Sequence, residues 1–161
     1  DVIINANNVN SIDMNCSSDA GLEFAYASCQ DIDINIQNVS DYGILTCLGE
    51  WSCSHLNINA MYANSFIANI DGGYTLYNSS INTEYAGNVE LNCNSLSWGF
   101  ACYKVTLIAP ENSIPKIDCK GDGCYDLKLH SKNGISGFDV SINGCGQCAS
   151  IQECIGNWDI Y

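Results

Sequence analysis

Arginine is absent from this chain. Five lysines face 18 acidic residues, for a formal net charge of −13. A surface that tracks phosphates needs clustered Lys and Arg, so the composition argues against a nucleic-acid partner. The same charge repels anionic membrane surfaces. Long hydrophobic runs are missing too: no stretch of about 18 apolar residues exists, so no membrane span is expected. Histidine, proline and methionine occur twice each. There is no Met start and no basic-then-apolar leader, so the chain reads as a mature product or an excised piece. Helical spacing of apolar residues is nowhere sustained.

What the chain does have is cysteine: 11 in 161 residues. Such a set is a hazard in a reducing cytosol and a disulfide framework in an oxidising exterior. The chain is therefore expected to be secreted, extracellular or at the cell surface. The length fits one domain, residues 1–161, and 47% hydrophobic residues argue against disorder. Three acceptors for covalent N-glycans agree with the exterior: Asn15-Cys16-Ser17, Asn38-Val39-Ser40 and Asn78-Ser79-Ser80. Asn15 is the weakest, because its middle residue is a cysteine that pairing would engage.

The cysteines carry a repeat. Cys, two residues, then apolar–any–apolar occurs at Cys29-Gln-Asp-Ile32-Asp-Ile34 and Cys53-Ser-His-Leu56-Asn-Ile58. It recurs at Cys102-Tyr-Lys-Val105-Thr-Leu107 and Cys124-Tyr-Asp-Leu127-Lys-Leu129. An alternating strand pattern precedes another set, as in Ile12-Asp-Met14-Asn-Cys16, Val89-Glu-Leu91-Asn-Cys93 and Pro115-Lys-Ile117-Asp-Cys119. The period is 22–30 residues, with one doubled gap from Cys53 to Cys102. A coil without cysteines is expected inside that gap. There Ala68-Asn-Ile70 and Gly73-Tyr-Thr-Leu76 read as its two strands, and Gly72 and Gly73 stand for the two missing cysteines. Cysteines that vanish together are expected to pair together. This gives Cys16–Cys29, Cys47–Cys53, Cys93–Cys102 and Cys119–Cys124 as staples across loop necks. A ladder of disulfides between coils is the competing arrangement, and sequence alone does not set connectivity. One bond among Cys145, Cys148 and Cys154 would leave one thiol to pair outside this chain.

A repeat of this length with two or three short strands describes an all-β parallel β-helix, here of about six to seven coils. Ile32, Leu56, Leu76, Val105 and Leu127 should form one inward stack, and Ile34, Ile58, Leu107 and Leu129 the next. A β-sandwich would not explain cysteine pairs at this period. The repeat resembles the right-handed parallel β-helix superfamily of pectate lyases and other polysaccharide-acting proteins. The cysteine-stapled, Asn-rich style is similar to β-helical regions of secreted protist and algal surface proteins. The resemblance and chain chirality imply a right-handed coil. Val2-Ile3-Ile4 and Trp158-Asp-Ile160-Tyr161 read as strand at the two ends, without caps. A segment of a longer chain, or subunits stacking end to end or with other fibre or coat subunits, would satisfy such ends.

Catalytic residues do not assemble from the sequence. A pectate-type lyase takes its proton with a base, often Arg, and none is present. The Asp-Asp and Gly-His-Gly signatures of related glycosidases are missing. Asp31, Asp33 and Asp126, beside Lys104, are the exposed acid/base candidates, and a solvated acidic face accounts for them. His55 and His130 fall at different strand positions, so no shared metal or triad is expected. Cys145-Gly-Gln-Cys148 has the spacing of a zinc or redox pair but lacks a second pair of ligands. Gly121-Asp122-Gly123 is similar to one copy of a calcium turn built from consecutive repeats, and a corner turn accounts for it. No cofactor is implied. Trp51, Trp98 and Phe100 in the stapled loops, with Tyr103 and Tyr125 in successive coils, are candidate glycan contacts, and a cover for the open edge of the core also accounts for these rings. The reading is a non-enzymatic structural glycoprotein of a fibre, coat or appendage. A carbohydrate-binding or adhesion module is the alternative, and a polysaccharide lyase or hydrolase comes third.

Overall fold

Period-two alternation sends one set of side chains to each face of a strand. The computed structural model describes residues 2–17, 28–95, 99–131, 139–143 and 158–159. They form two parallel sheets and, among the described residues, no helix. The first sheet runs β1 (Val2–Asn7), β3 (Ile32–Gln37), β5 (Asn57–Asn59), β7 (Ser80–Asn82), β9 (Thr106–Ile108), β11 (Lys128–His130), β13 (Trp158–Asp159). The second runs β2 (Ser11–Ser17), β4 (Tyr42–Leu48), β6 (Ser65–Asp71), β8 (Asn88–Ser95), β10 (Lys116–Gly121), β12 (Asp139–Asn143). Each coil passes through one strand of each sheet, and the next coil lies parallel beside it. The fold is a parallel β-solenoid. About four turns are described nearly throughout, between residues 28 and 131, rather than six to seven. β1, β2, β12 and β13 continue the same sheets on either side.

The core is a set of columns parallel to the solenoid axis. Ile34, Ile58, Ile81, Leu107 and Leu129 follow one another through the first sheet. Leu45, Ala68, Leu91 and Ile117 do so through the second. All are buried. Burial of apolar area is the main stabilising term here, and stacking like on like keeps every coil in register, since a one-residue slip would turn each column outward.

Disulfides Cys16–Cys29, Cys47–Cys53, Cys93–Cys102 and Cys119–Cys124 close four corners where the second sheet feeds the first. They are the loop-neck pairs. Cys145, Cys148 and Cys154 lie outside the described residues. The corner without cysteines differs from expectation. Gly72 and Gly73 do not take the cysteines' places. Ile70 pairs with Cys47 on one side and Cys93 on the other. Backbone bonds from Cys53 N–H to the Thr75 carbonyl and from His55 N–H to the Tyr77 carbonyl put Leu76 in the register of Cys53. Ile70 and Leu76 are buried, so two branched side chains fill the space a disulfide fills elsewhere.

The same shift moves Leu76 out of the inward stack assigned to it. Ser79 takes that place, level with Leu56 and Val105. Its hydroxyl accepts a 2.9 Å bond from the Leu56 N–H and lies 3.1 Å from the Tyr77 carbonyl and 3.3 Å from that of Cys53. A polar group is tolerated in the core because the corner's backbone satisfies it. Ser79→Ala removes the acceptor of a buried N–H. The expected cost is about 1–3 kcal/mol, measured as a lower denaturation midpoint with unchanged m.

Candidate functional site

The stapled corners turn sharply, and their backbone shows it. Asp31, His55, Asn78, Lys104 and Asp126 occupy one position in successive coils, each with φ between 48° and 57°. Asn78 is therefore level with His55 in this column, while Thr75 is buried and its hydroxyl donates to the Gly49 carbonyl at 2.8 Å. Two bulky aromatics are also held left-handed on this edge, Trp51 at φ 57° and Tyr74 at φ 53°. Such backbone is uncommon for large side chains and costs on the order of 1–3 kcal/mol where it occurs.

These corners carry six aromatic rings in a continuous strip along the axis. Trp51 stacks on Tyr74, centroids 4.9 Å apart and planes 11° apart. Tyr74 meets Phe100 edge to face at 5.8 Å. Tyr77, Tyr103 and Tyr125 follow one another at 5.6 and 5.7 Å. Phe100 joins the two rows, 5.2 Å from Tyr103 and stacked on Tyr125 at 4.6 Å. Trp51 is exposed and the other five are half-buried, so the strip presents ring surface to solvent while resting on the corner beneath. With adjacent strands about 4.8 Å apart, it crosses four coils.

Charge frames the strip. The Lys104 ammonium sits 5.1 Å from the Tyr103 ring centre, a cation–π contact. His55 packs edge-on against Tyr77 at 5.5 Å, and its Nδ1 lies 3.5 Å from Asp31 Oδ1. Among the described residues the centre of this surface is ring surface, with the His55–Asp31 pair and Lys104 at its margin. What it offers is apolar faces flanked by hydrogen-bonding groups, the arrangement that suits a ligand apolar on one face and polar at its rim.

The sequence candidates fall into place around it. Trp51, Phe100, Tyr103 and Tyr125 come together in the strip; Trp98 lies outside the described residues. Tyr74 and Tyr77 were missed because the cysteine-free coil was aligned a few residues out of register. The spacing of Tyr77, Tyr103 and Tyr125, which follows that of the coils, is the signal that points to Tyr77. Asp31 contacts His55, and Asp33 is level with Asn57 on the outer face of the first sheet. Asp126 is one coil from Lys104. His130 is far from His55, in a cleft of about 190 Å³ with Glu84, Ile108 and Glu111. Among the described residues no three His, Cys, Asp or Glu form a group able to hold a metal ion. The three glycan acceptors Asn15, Asn38 and Asn78 are exposed.

Fold and surface together define a disulfide-stapled parallel β-solenoid with an aromatic edge. No family model, curated protein or solved structure matches this chain. Its many disulfides are compatible with an extracellular protein, and no helix among the described residues is long and apolar enough to cross a membrane.

Proposed function

We propose that this protein is an extracellular carbohydrate-binding β-solenoid that lays its aromatic edge along a polysaccharide. The aromatic strip carries the reading. Sugar rings have apolar C–H faces and polar rims, and the exposed part of a cluster of stacked and tilted aromatic rings offers such faces apolar contact along successive coils. Bulky residues held at positive φ support it, since strain kept at a surface is a mark of use. The acidic balance favours uncharged polymers over uronates or sulfated glycans.

The test is retention on a panel of insoluble polysaccharides, followed by titration with soluble oligosaccharides. Protein carrying Asn78→Gln is used, so that no chain-borne glycan beside Tyr77 occupies the strip. Tyr74→Ala with Tyr103→Ala removes two ring faces at about 1 kcal/mol each, a roughly 30-fold weaker Kd. Equal binding by the folded double variant, or no binding by the parent to any member, sinks the reading.

The architectural reading, a building block of a fibre or coat, is favoured by a different observation. Among the described strands β1 pairs only with β3 and β2 only with β4. Val2 and Ile3 are 56% and 61% exposed, and the inward residues Ile12 and Met14 are half-exposed. A further coil, of this chain or of a second copy, would pair along β1 and β2. Electron microscopy of native, unreduced material distinguishes the two: filaments with this domain repeated along the axis support the architectural role, discrete particles remove it.

A further inference from the structure

The corner opposite the staples carries a second, smaller aromatic platform. Tyr62 and Tyr85 stack with centroids 5.4 Å apart and planes 14° apart. They are 51% and 44% exposed. Register shows what stands next to them. Val39 bridges Ala63 in parallel, which puts Asn38 level with Tyr62, and the pairing of Asn59 with Asn82 carries the column on to Tyr85. Asn38 is the acceptor of the Asn38-Val39-Ser40 triplet. It is exposed, at φ 53°, on the same corner. Asn38, Ser40, Tyr62, Asn64 and Tyr85 border one shallow concavity.

We propose that this platform is the seat of the chain's own N-linked glycan at Asn38. In the transfer, Asn38 Nδ2 loses one proton and bonds C1 of the first sugar. The C1–O bond to a polyprenyl diphosphate donor breaks, and the diphosphate leaves with the electron pair. The first N-acetylhexosamine then lays its apolar face on the side of the Tyr62 ring turned away from Tyr85, and Tyr85 backs that ring by stacking on it. The present bonds of Asn38 Nδ2 to Asn7 Oδ1 and Asn8 Oδ1 are 3.3 Å long and exposed. Releasing them by side-chain rotation costs little, because water replaces them. Ser40 and Asn64 lie where they can meet sugar hydroxyls. This seat is independent of polymer binding on the opposite edge.

The test is a double-mutant cycle on the full chain secreted from glycosylating eukaryotic cells, with peptide mass mapping of Asn38 occupancy. Asn38→Gln in the otherwise native chain is expected to lower Tm by about 2–4 °C. In the Tyr62→Ala/Tyr85→Ala background the same change is expected to leave Tm unmoved. Tyr62→Phe/Tyr85→Phe keeps the ring faces and should restore the coupling. The N-acetyl methyl protons of the glycan should move upfield in NMR spectra of the native chain, and not in those of the Ala variant. An unoccupied Asn38, equal Tm losses in the two backgrounds, or unshifted methyl signals overturn the proposal.

Discussion

Gly123→Ala is expected to be the most damaging single methyl that can be added to this protein. A Cβ at Gly123 would overlap the carbonyl oxygen of Cys93 in the preceding coil, and would stand 2.8 Å from the Cys93 carbonyl carbon and 2.9 Å from the Lys120 oxygen. All three neighbours are backbone. None can swing aside as a side chain would, and Cys93 is anchored twice, by the β8–β10 pairing and by its disulfide to Cys102. The coils must separate locally, breaking the ladder and the columns on both sides. A loss above about 4 kcal/mol is expected, in the range reserved for such failures. The control is Gly43→Ala. There a Cβ meets Ile12, Phe66 and Ile36 side-chain carbons at 3.5–3.6 Å, ordinary contact, so the fold should absorb it. Thermal denaturation of the pair checks the claim. Similar midpoints for the two variants would show that the coils are not packed backbone on backbone at Gly123.

Cys47→Ala with Cys53→Ala is the second large effect. The bond closes a separation of six residues, for which the loop-entropy relation gives about 2 kcal/mol. Both cysteines are fully buried, so the lost sulfur contacts add to that. A total of about 2–4 kcal/mol is expected. The adjacent corner supplies the comparison, since Ile70 and Leu76 hold the equivalent positions by packing alone. Ile70→Ala should cost about 2–5 kcal/mol, as much as removing a covalent bond one coil away. Under reducing conditions the ordering changes: the Cys47/Cys53 variant should lose nothing further at that corner, while the Ile70 variant still depends on the two bonds that flank it, Cys47–Cys53 and Cys93–Cys102. Chemical denaturation with and without reductant measures this. Insensitivity of the native chain to reductant would mean that the staples add little to the stacked columns.

Much of this was legible in the cysteines. Their paired disappearance between Cys53 and Cys102 located the loop necks, because a bond within one corner is lost or kept as a unit. Alternation in Ile34, Ile58, Leu107 and Leu129 located the inner column, because period two admits only one face toward a core. The cysteine-free coil was less legible. Gly72-Gly73 resembles a corner, and with no cysteine to anchor it Leu76 could be laid on Leu56 or on Cys53. Ile70 and Leu76 imitate a disulfide by volume, which leaves no spacing signature.

By itself, then, the chain determined that it is all β and that its coils repeat every 22–30 residues, and it favoured bonds across loop necks over a ladder between coils. These are local properties, set by alternation and by residues close in sequence. Only the tertiary structure decided which side chains share an edge. Trp51, Tyr74 and Phe100 are neighbours because coils of unequal length stack in register, and the corner loops that absorb the difference carry the rings. Asn38 stands above Tyr62 and Tyr85 for the same reason. The length of each corner is visible in the sequence, but where its residues come to rest depends on the hydrogen-bonded register of the strands on either side.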